Sequence, residues 1–270
     1  MKILANGIHI HVNDQGSGTP AIVFLHYWGG SSRTWRDVIA ALPNAYRTVA
    51  LDHRGWGDSD APADGYALAD FADDAQGVID ALKLDRFVLV GHSMGGKIAQ
   101  LLASRRPQGL AGLVMVAPSP PVPLELPAEI RAEMELAYAS RASVEMAVDQ
   151  MLTARPLSPA HRQQVIEDSL RGAPQAKAAW PLRTSFEDIT REVAAIDAPA
   201  IVIAGEQDRV DSVETLQTKL LPYIPHARMH VVPQTGHLSP LESPLDVARL
   251  IQDFVTSETT DRMALTSRFP

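Results

Sequence analysis

The sequence predicts an α/β protein: a mostly parallel sheet covered by helices on both faces, with a block of helices inserted between two strands. Three observations predict it. Strand-like and helix-like segments alternate along most of the chain, residues 21–25, 87–90, 110–116 and 200–204 are apolar without a polar break, and residues 119–190 read as helical only. An unbroken apolar strand has both faces buried, which in an alternating chain implies parallel strands joined by right-handed crossovers.

In chain order, residues 2–5 and 8–13 alternate apolar and polar side chains as an antiparallel hairpin does, and 21–25 follows as a buried strand. A helix near 35–42 and a strand over 46–51 come next. Over 67–82, Leu68, Phe71, Ala75, Val78, Ile79 and Leu82 fall on one face at helical spacing. Strands at 87–90 and 110–116 complete the first half. The proline-rich PSPPVPLELP then opens the insertion, whose amphipathic stretches lie near 128–140, 144–153 and 160–171. Strands resume at 200–204 and 227–232, with helices near 213–220 and 244–255. Residues 1–118 and 191–256 therefore form the core, 119–190 a helical lid, and the polar residues 257–270 a flexible tail. A helical block inserted after a sheet strand buries its apolar stripe on the strand-end face, so the lid is expected to roof that face.

Composition narrows the function. The chain has 270 residues, 46% hydrophobic and 21% charged, ample for a large core. A net charge of -8 without a basic cluster argues against nucleic acid, which is held by Lys and Arg on phosphates. The start lacks the continuous apolar region of a signal peptide and no run is long enough to span a bilayer, so a cytoplasmic protein without a membrane partner is expected. Zero cysteines exclude a thiol nucleophile, disulfides and thiolate metal sites. A small molecule is the expected partner, with no metal or organic cofactor; nothing in the composition speaks to oligomeric state.

The chemistry points to Ser93. In RFVLVGHSMGGKIAQLLAS, residues 86–104, a buried strand runs into Gly91-His92-Ser93-Met94-Gly95 and then into a helix with the small residues Gly95, Gly96 and Ala99. This G-x-S-x-G turn forces the serine backbone into a strained conformation, and the flanking glycines remove the Cβ atoms that would collide. The hydroxyl is left above the sheet. Active groups in such a sheet belong at the carboxyl ends of strands, and three more loops stand there: His26-Tyr27-Trp28-Gly29-Gly30, Gly205-Glu206-Gln207-Asp208-Arg209-Val210, and Gln234-Thr235-Gly236-His237.

The order Ser93, Asp208, His237, together with FLHYWGGSSRTW, LDHRGWGDSD, AGEQDRV and VVPQTGHLSPLESP, resembles the α/β-hydrolase superfamily, in a serine esterase-like branch with a helical lid. The resemblance covers about residues 30–255. It implies that Ser93 is the nucleophile, His237 the general base and later acid, and Asp208 the carboxylate that orients it, which agrees with the need of a weak serine nucleophile for a neighbouring base. Asp211 and Glu206 are the rival acids. The oxyanion hole is assigned to the backbone N–H groups of Met94 and Tyr27. Tyr27 stands where this loop usually carries glycine, so its ring is expected at the substrate entrance, with Trp28 beside it as a second substrate-binding residue. Serine in place of aspartate at the nucleophile position disfavours the dehalogenase and epoxide-hydrolase branches.

Other residues read as structural. His26 is expected to bond its own loop, His92 to pack behind the elbow, Asp52 and Arg54 to pair, and Lys97 to face another loop or solvent. Leu126, Ile130, Met134, Tyr138, Met146, Met151, Leu152 and Trp180 are the lid side chains that could line a pocket. The expected reaction is hydrolysis of small to medium apolar carboxylic esters through an acyl-enzyme. Carbon–carbon bond hydrolysis, perhydrolysis and a cofactor-independent lyase or oxygenase reuse the same scaffold, and a ligand-binding receptor with vestigial hydrolysis is a further alternative.

Overall fold

The computed structural model describes residues 1–266, with side chains to Ser257. Its sheet has eight strands: β1 (Lys2–Ala5), β2 (Ile8–Gln15), β3 (Ala21–Leu25), β4 (Thr48–Leu51), β5 (Phe87–His92), β6 (Leu110–Val116), β7 (Ala200–Gly205) and β8 (Arg228–Val232). Their order is β1-β2-β4-β3-β5-β6-β7-β8. The hairpin β1–β2 joins antiparallel to β4, and every pair from β4 to β8 is parallel. The predicted α/β class, mostly parallel and helix-covered, is therefore the observed one.

The apolar strands are unbroken because both faces are buried. Val23, Leu25, Leu89 and Met115 point into one core layer with Phe71, Val78, Ile98 and Leu102. Ile22, Phe24, Val88, Val90 and Val114 point into the other with Val38, Val247, Ile251 and Phe254. Helices α2 (Leu68–Ala81) and α3 (Met94–Ser104) supply the first layer, while α1 (Arg36–Ala41) and the last helix, α11, supply the second.

Between β6 and β7 the chain forms α4 (Ala128–Leu136), α5 (Arg141–Ala147) running into a π turn at Val148–Leu152, α6 (Pro159–Arg171), α7 (Pro174–Leu182) and α8 (Thr190–Val193). Local chemistry sets their starts. The Ser140 side chain accepts the Ser143 amide at 3.2 Å, Ser158 accepts that of His161 at 3.1 Å, and Pro159 and Pro174 open α6 and α7. After β7 come α9 (Val213–Lys219), the short α10 (Ser239–Glu242) and α11 (Pro244–Thr266). Helix α11 continues past the end expected near residue 255, so residues 257–266 are helical where a flexible tail was expected; the rest of that tail lies outside the described residues. Among the described residues, no helix is long and apolar enough to cross a membrane.

Candidate active site

Ser93 sits at the junction of β5 and α3 with φ 54° and ψ -116°, a left-handed conformation costing a non-glycine residue about 1–3 kcal/mol. Neighbours hold it there. Its amide donates to the Val116 carbonyl at 3.1 Å, and its carbonyl accepts from Lys97 and Ser119, each at 3.1 Å. A side chain at Gly91 would collide with the Gly95 carbonyl, and one at Gly95 with the carbonyl oxygens of Leu25 and His26. Two glycines thus let the start of α3 lie directly against the loop that leaves β3.

His237 lies in the loop after β8, between Ser93 and Asp208. Its Nε2 is 2.9 Å from the Ser93 hydroxyl and its Nδ1 2.8 Å from Asp208 Oδ2. The other Asp208 oxygen accepts the amides of Val210 at 2.8 Å and Asp211 at 3.0 Å, which fixes the carboxylate plane. An Nδ1–H held by the carboxylate leaves Nε2 free to accept from the serine. Burial opposes charging of His237, but Asp208 beside it outweighs that cost and raises its pKa above the ordinary 6.5. The three side chains are closed in: Ser93 is 8% exposed, Asp208 5% and His237 2%.

The rival acids have other places. Glu206 accepts the Gln234 amide at 2.8 Å, bracing the histidine loop. Asp211 is buried, and burial lifts its carboxyl to about 7. Neither meets His237 Nδ1.

The loop after β3 has its carbonyls turned toward fixed donors. His26 Nδ1 donates to the Tyr27 carbonyl at 2.7 Å, the Tyr138 hydroxyl to the Trp28 carbonyl at 2.8 Å, and the Ser169 hydroxyl to the Gly29 carbonyl at 3.0 Å. His26 Nε2 accepts the His53 amide at 2.9 Å, and burial pushes His26 down to about 4, so it stays neutral with its proton on Nδ1. Ser31 donates to Asp168 at 2.8 Å. Among the described residues no acceptor takes the Tyr27 amide, and Met94 opens α3, whose first amides have no preceding turn to bond. Both amides expected to form an oxyanion hole are thus unclaimed.

The rings of this loop brace it. Tyr27 packs on His92 with centroids 5.1 Å apart, and a side chain at Gly30 would strike the Tyr27 ring. Trp28 lies 4.2 Å from Tyr138, and its Nε1 donates to the Lys177 carbonyl at 3.1 Å. Of the lid side chains expected near a pocket, Tyr138 and Trp180 are buried, Leu126, Met134 and Leu152 half-buried, and Ile130, Met146 and Met151 exposed.

One pairing differs from expectation. Asp52 and Arg54 do not bond each other: Arg54 forks onto Asp74 at 2.6 and 2.5 Å, whereas Asp52 accepts the amides of Ser32 at 2.6 Å and Asp58 at 2.8 Å. Asp52 also meets His11 Nδ1 at 2.9 Å, and although His11, Asp52 and Asp58 bring ligand-type atoms together, those bonds already occupy Asp52. Of the two surroundings expected for Lys97, another loop or solvent, it has the first. It is fully buried, and its amine donates to the Val122 carbonyl at 2.9 Å and the Ser185 carbonyl at 3.3 Å, one at each stem of the inserted helices.

Sequence reasoning missed the residues that tie the insertion to the site: Asp168, Ser169, Lys177 and Glu242. Glu242 accepts the amides of Gly236 at 3.1 Å and Ala154 at 2.8 Å, joining the histidine loop to the inserted segment. ESP after the histidine was visible, but nothing local marks that glutamate as a clamp.

A strained serine between strand and helix, a histidine and a carboxylate in one hydrogen-bonded line, and an eight-stranded mostly parallel sheet define a hydrolase scaffold. The chain belongs to the alpha/beta hydrolase family, whose sequence model matches residues 22–250. It is similar to the 2-hydroxymuconate semialdehyde hydrolase of Pseudomonas sp. (strain CF600), 31% identical over 264 residues, covering 94% of this chain and 93% of that protein. Among solved structures it is similar to an esterase from Exiguobacterium antarcticum, with a TM-score of 0.86, 25% identity and coverage of 95% and 99%. It is also similar to Est816, described as an N-acyl homoserine lactone degrading enzyme, with a TM-score of 0.79, 31% identity and coverage of 94% and 100%.

Proposed function

We propose that the chain is a serine hydrolase that cleaves small to medium apolar carboxylic esters through an acyl-enzyme. The observation that carries this reading is the buried line Ser93–His237–Asp208, with contacts of 2.9 and 2.8 Å. His237 Nε2 takes the Ser93 proton as Oγ attacks the ester carbonyl, and Asp208 stabilises the imidazolium that forms. The Tyr27 and Met94 amides receive the negative oxygen of the tetrahedral intermediate. His237 then protonates the departing alcohol, and water, activated by the same base, releases the acid. No metal or cofactor has a part in these steps. The inserted helices act as the lid over the site, with Tyr27 and Trp28 on the near wall of the pocket, and the low exposure of Ser93 favours compact substrates.

Carbon–carbon bond hydrolysis is the second reading, favoured by the near full-length similarity to a semialdehyde hydrolase. Lactone cleavage stays within the first, in keeping with the similarity to Est816. Phenyl esters graded from acetate to decanoate, assayed beside a thioester, a lactone and a 1,5-diketone, test both. The ester reading expects kcat/KM to rise by roughly 1–3 kcal/mol of transition-state binding per methylene and then break sharply at medium length. Preferred turnover of the diketone would replace it with the second reading, and tight binding with negligible single turnover would mean a receptor.

A further inference from the structure

Asp211 has a buried carboxyl with no hydrogen-bond donor among the described residues, and its amide is bonded to the acid that meets His237. Only 4% of the residue is exposed, and among the described residues its amide is bonded, to Asp208 Oδ1 at 3.0 Å, while its carboxylate is not. The charges of His237, Asp208 and Lys97 all act on its carboxyl. Lys97 follows Ser93 by one helical turn, and its ammonium is spent on the carbonyls of Val122 and Ser185. Neither Lys97 nor His237 forms an ion pair with Asp211, so a nearly enclosed carboxylate keeps oxygens that no donor among the described residues claims.

A merely structural acid would be matched by the fold, as Asp74 is by Arg54, and as Asp168 is by the Ser31 hydroxyl on one oxygen and the Arg33 guanidinium, 3.4 Å away, on the other. Asp208 is matched too, by His237 and two amides. Asp211 alone of these four buried acids has neither oxygen in a hydrogen bond or ion pair among the described residues. A carboxyl oxygen accepts a hydrogen bond whether the group is ionised or protonated, so the missing partner is a donor in both states.

We propose that Asp211 is a specificity-determining residue that accepts a hydrogen bond from a hydroxyl or amide N–H carried by the substrate close to its scissile carbonyl. The substrate class becomes esters or lactones with a donor on the acyl or lactone carbon chain, apolar elsewhere. This deepens the ester-hydrolase reading and rests on it.

The test compares phenyl 3-hydroxybutanoate with phenyl butanoate at pH 8.5, above the titration of Asp211. The expected preference of the parent enzyme for the hydroxy ester is about tenfold in kcat/KM, the scale of one hydrogen bond to a buried carboxylate. In Asp211→Leu that ratio falls to about one through a raised KM for the hydroxy ester. Asp211→Asn, whose amide oxygen still accepts, keeps most of the preference and guards against a folding defect in the leucine variant. A parent without preference, a preference that survives in Asp211→Leu, or an equal fall of kcat on both esters overturns the proposal. Saturation-transfer NMR of the two esters with Ser93→Ala separates the two readings. If the parent cleaves neither ester, the hydrolase reading falls, while stronger binding of the hydroxy ester to Ser93→Ala, lost in Ser93→Ala/Asp211→Leu, still sustains the anchor; equal binding of both esters overturns it.

Discussion

His92 donates from Nε2 to the backbone carbonyl of His237 across 2.8 Å, so the residue before Ser93 holds the peptide of His237, 145 positions away. Their rings lie 5.3 Å apart, and burial keeps the His92 ring neutral by lowering its pKa far below 6.5. The 2.9 Å contact of His237 with Ser93 is thereby fixed from behind as well as through Asp208.

Replacing His92 by Leu leaves the His237 carbonyl buried without a donor, a cost of about 1–3 kcal/mol that the loop can relieve only by shifting. The expected result is a kcat lower by about 10- to 100-fold with KM nearly constant. His92→Gln, whose amide can still donate, should recover part of the loss. Steady-state kinetics on one ester decide it, and an unchanged kcat in His92→Leu would reduce His92 to packing.

Residues acting as one unit give losses that do not add. Ser93→Ala, His237→Ala and the double variant should lower kcat by similar factors, on the order of 10⁶. A fluorophosphonate should label Ser93 alone, read by peptide mass spectrometry. Asp208→Asn presents N–H to the imidazole and favours the wrong tautomer, with an expected loss on the order of 10⁴. Asp211→Asn should cost far less; the reverse order would move the acid to Asp211.

The pH profile follows from the charges around His237. The base acts only when neutral, so kcat/KM should rise with pH through a midpoint above 6.5, because Asp208 and, more weakly, Asp211 stabilise the cation. Removing the Asp211 charge withdraws one of those contributions, and the midpoint of Asp211→Asn should move to lower pH. A midpoint that stays in place would mean that Asp211 is uncharged over the titration of His237.

Much of this site was legible because its chemistry is locally encoded. Ser93, Asp208 and His237 each stand in a short motif at a strand end, and the unbroken apolar strands fixed the layers around them. The clamps were not legible. Tyr138 meets Trp28 across 110 residues, Ser169 meets Gly29 across 140, and Glu242 meets Ala154 across 88, distances at which spacing carries no information. For Lys97 the sequence leaves another loop and solvent both open; only the folded chain brings the Val122 and Ser185 carbonyls to its amine. Helix α10, four residues long, is too short to show a period.

The buried histidines predict the acid side of stability. His26 titrates at about 4 and His53 well below 6.5, both chiefly through burial, and neither ring nitrogen of His53 has a partner. Folded pKa values below the unfolded one mean that the unfolded chain binds more protons, so this stability is present above 6.5 and is lost as pH falls toward 4. At pH 5 His26 alone costs about 2 kcal/mol. His53→Phe, which keeps an aromatic ring against Phe71 and His26, should narrow the Tm difference between pH 7.5 and pH 5. A difference as wide as the parent's would show that other groups govern acid unfolding.

The inserted helices hold the loop after β3 by its carbonyls. The Tyr138 and Ser169 hydroxyls hold the Trp28 and Gly29 carbonyls, while His26 holds that of Tyr27, so three successive carbonyls are fixed and the Tyr27 amide is left to donate. In Tyr138→Phe the Trp28 carbonyl loses its donor although the ring contact with Trp28 at 4.2 Å is retained. A misaimed oxyanion donor weakens the transition state more than the bound substrate, so kcat should fall about tenfold with little change in KM. Ser169→Ala should act in the same direction, and the double variant should lose less than the product of the two because both hold one loop. Affinity for a trifluoromethyl ketone, whose adduct with serine carries the oxyanion, should fall in parallel with kcat. A lower Tm with kcat and ketone affinity intact would mean that these hydroxyls fasten the insertion and leave the amide's aim to the strand alone.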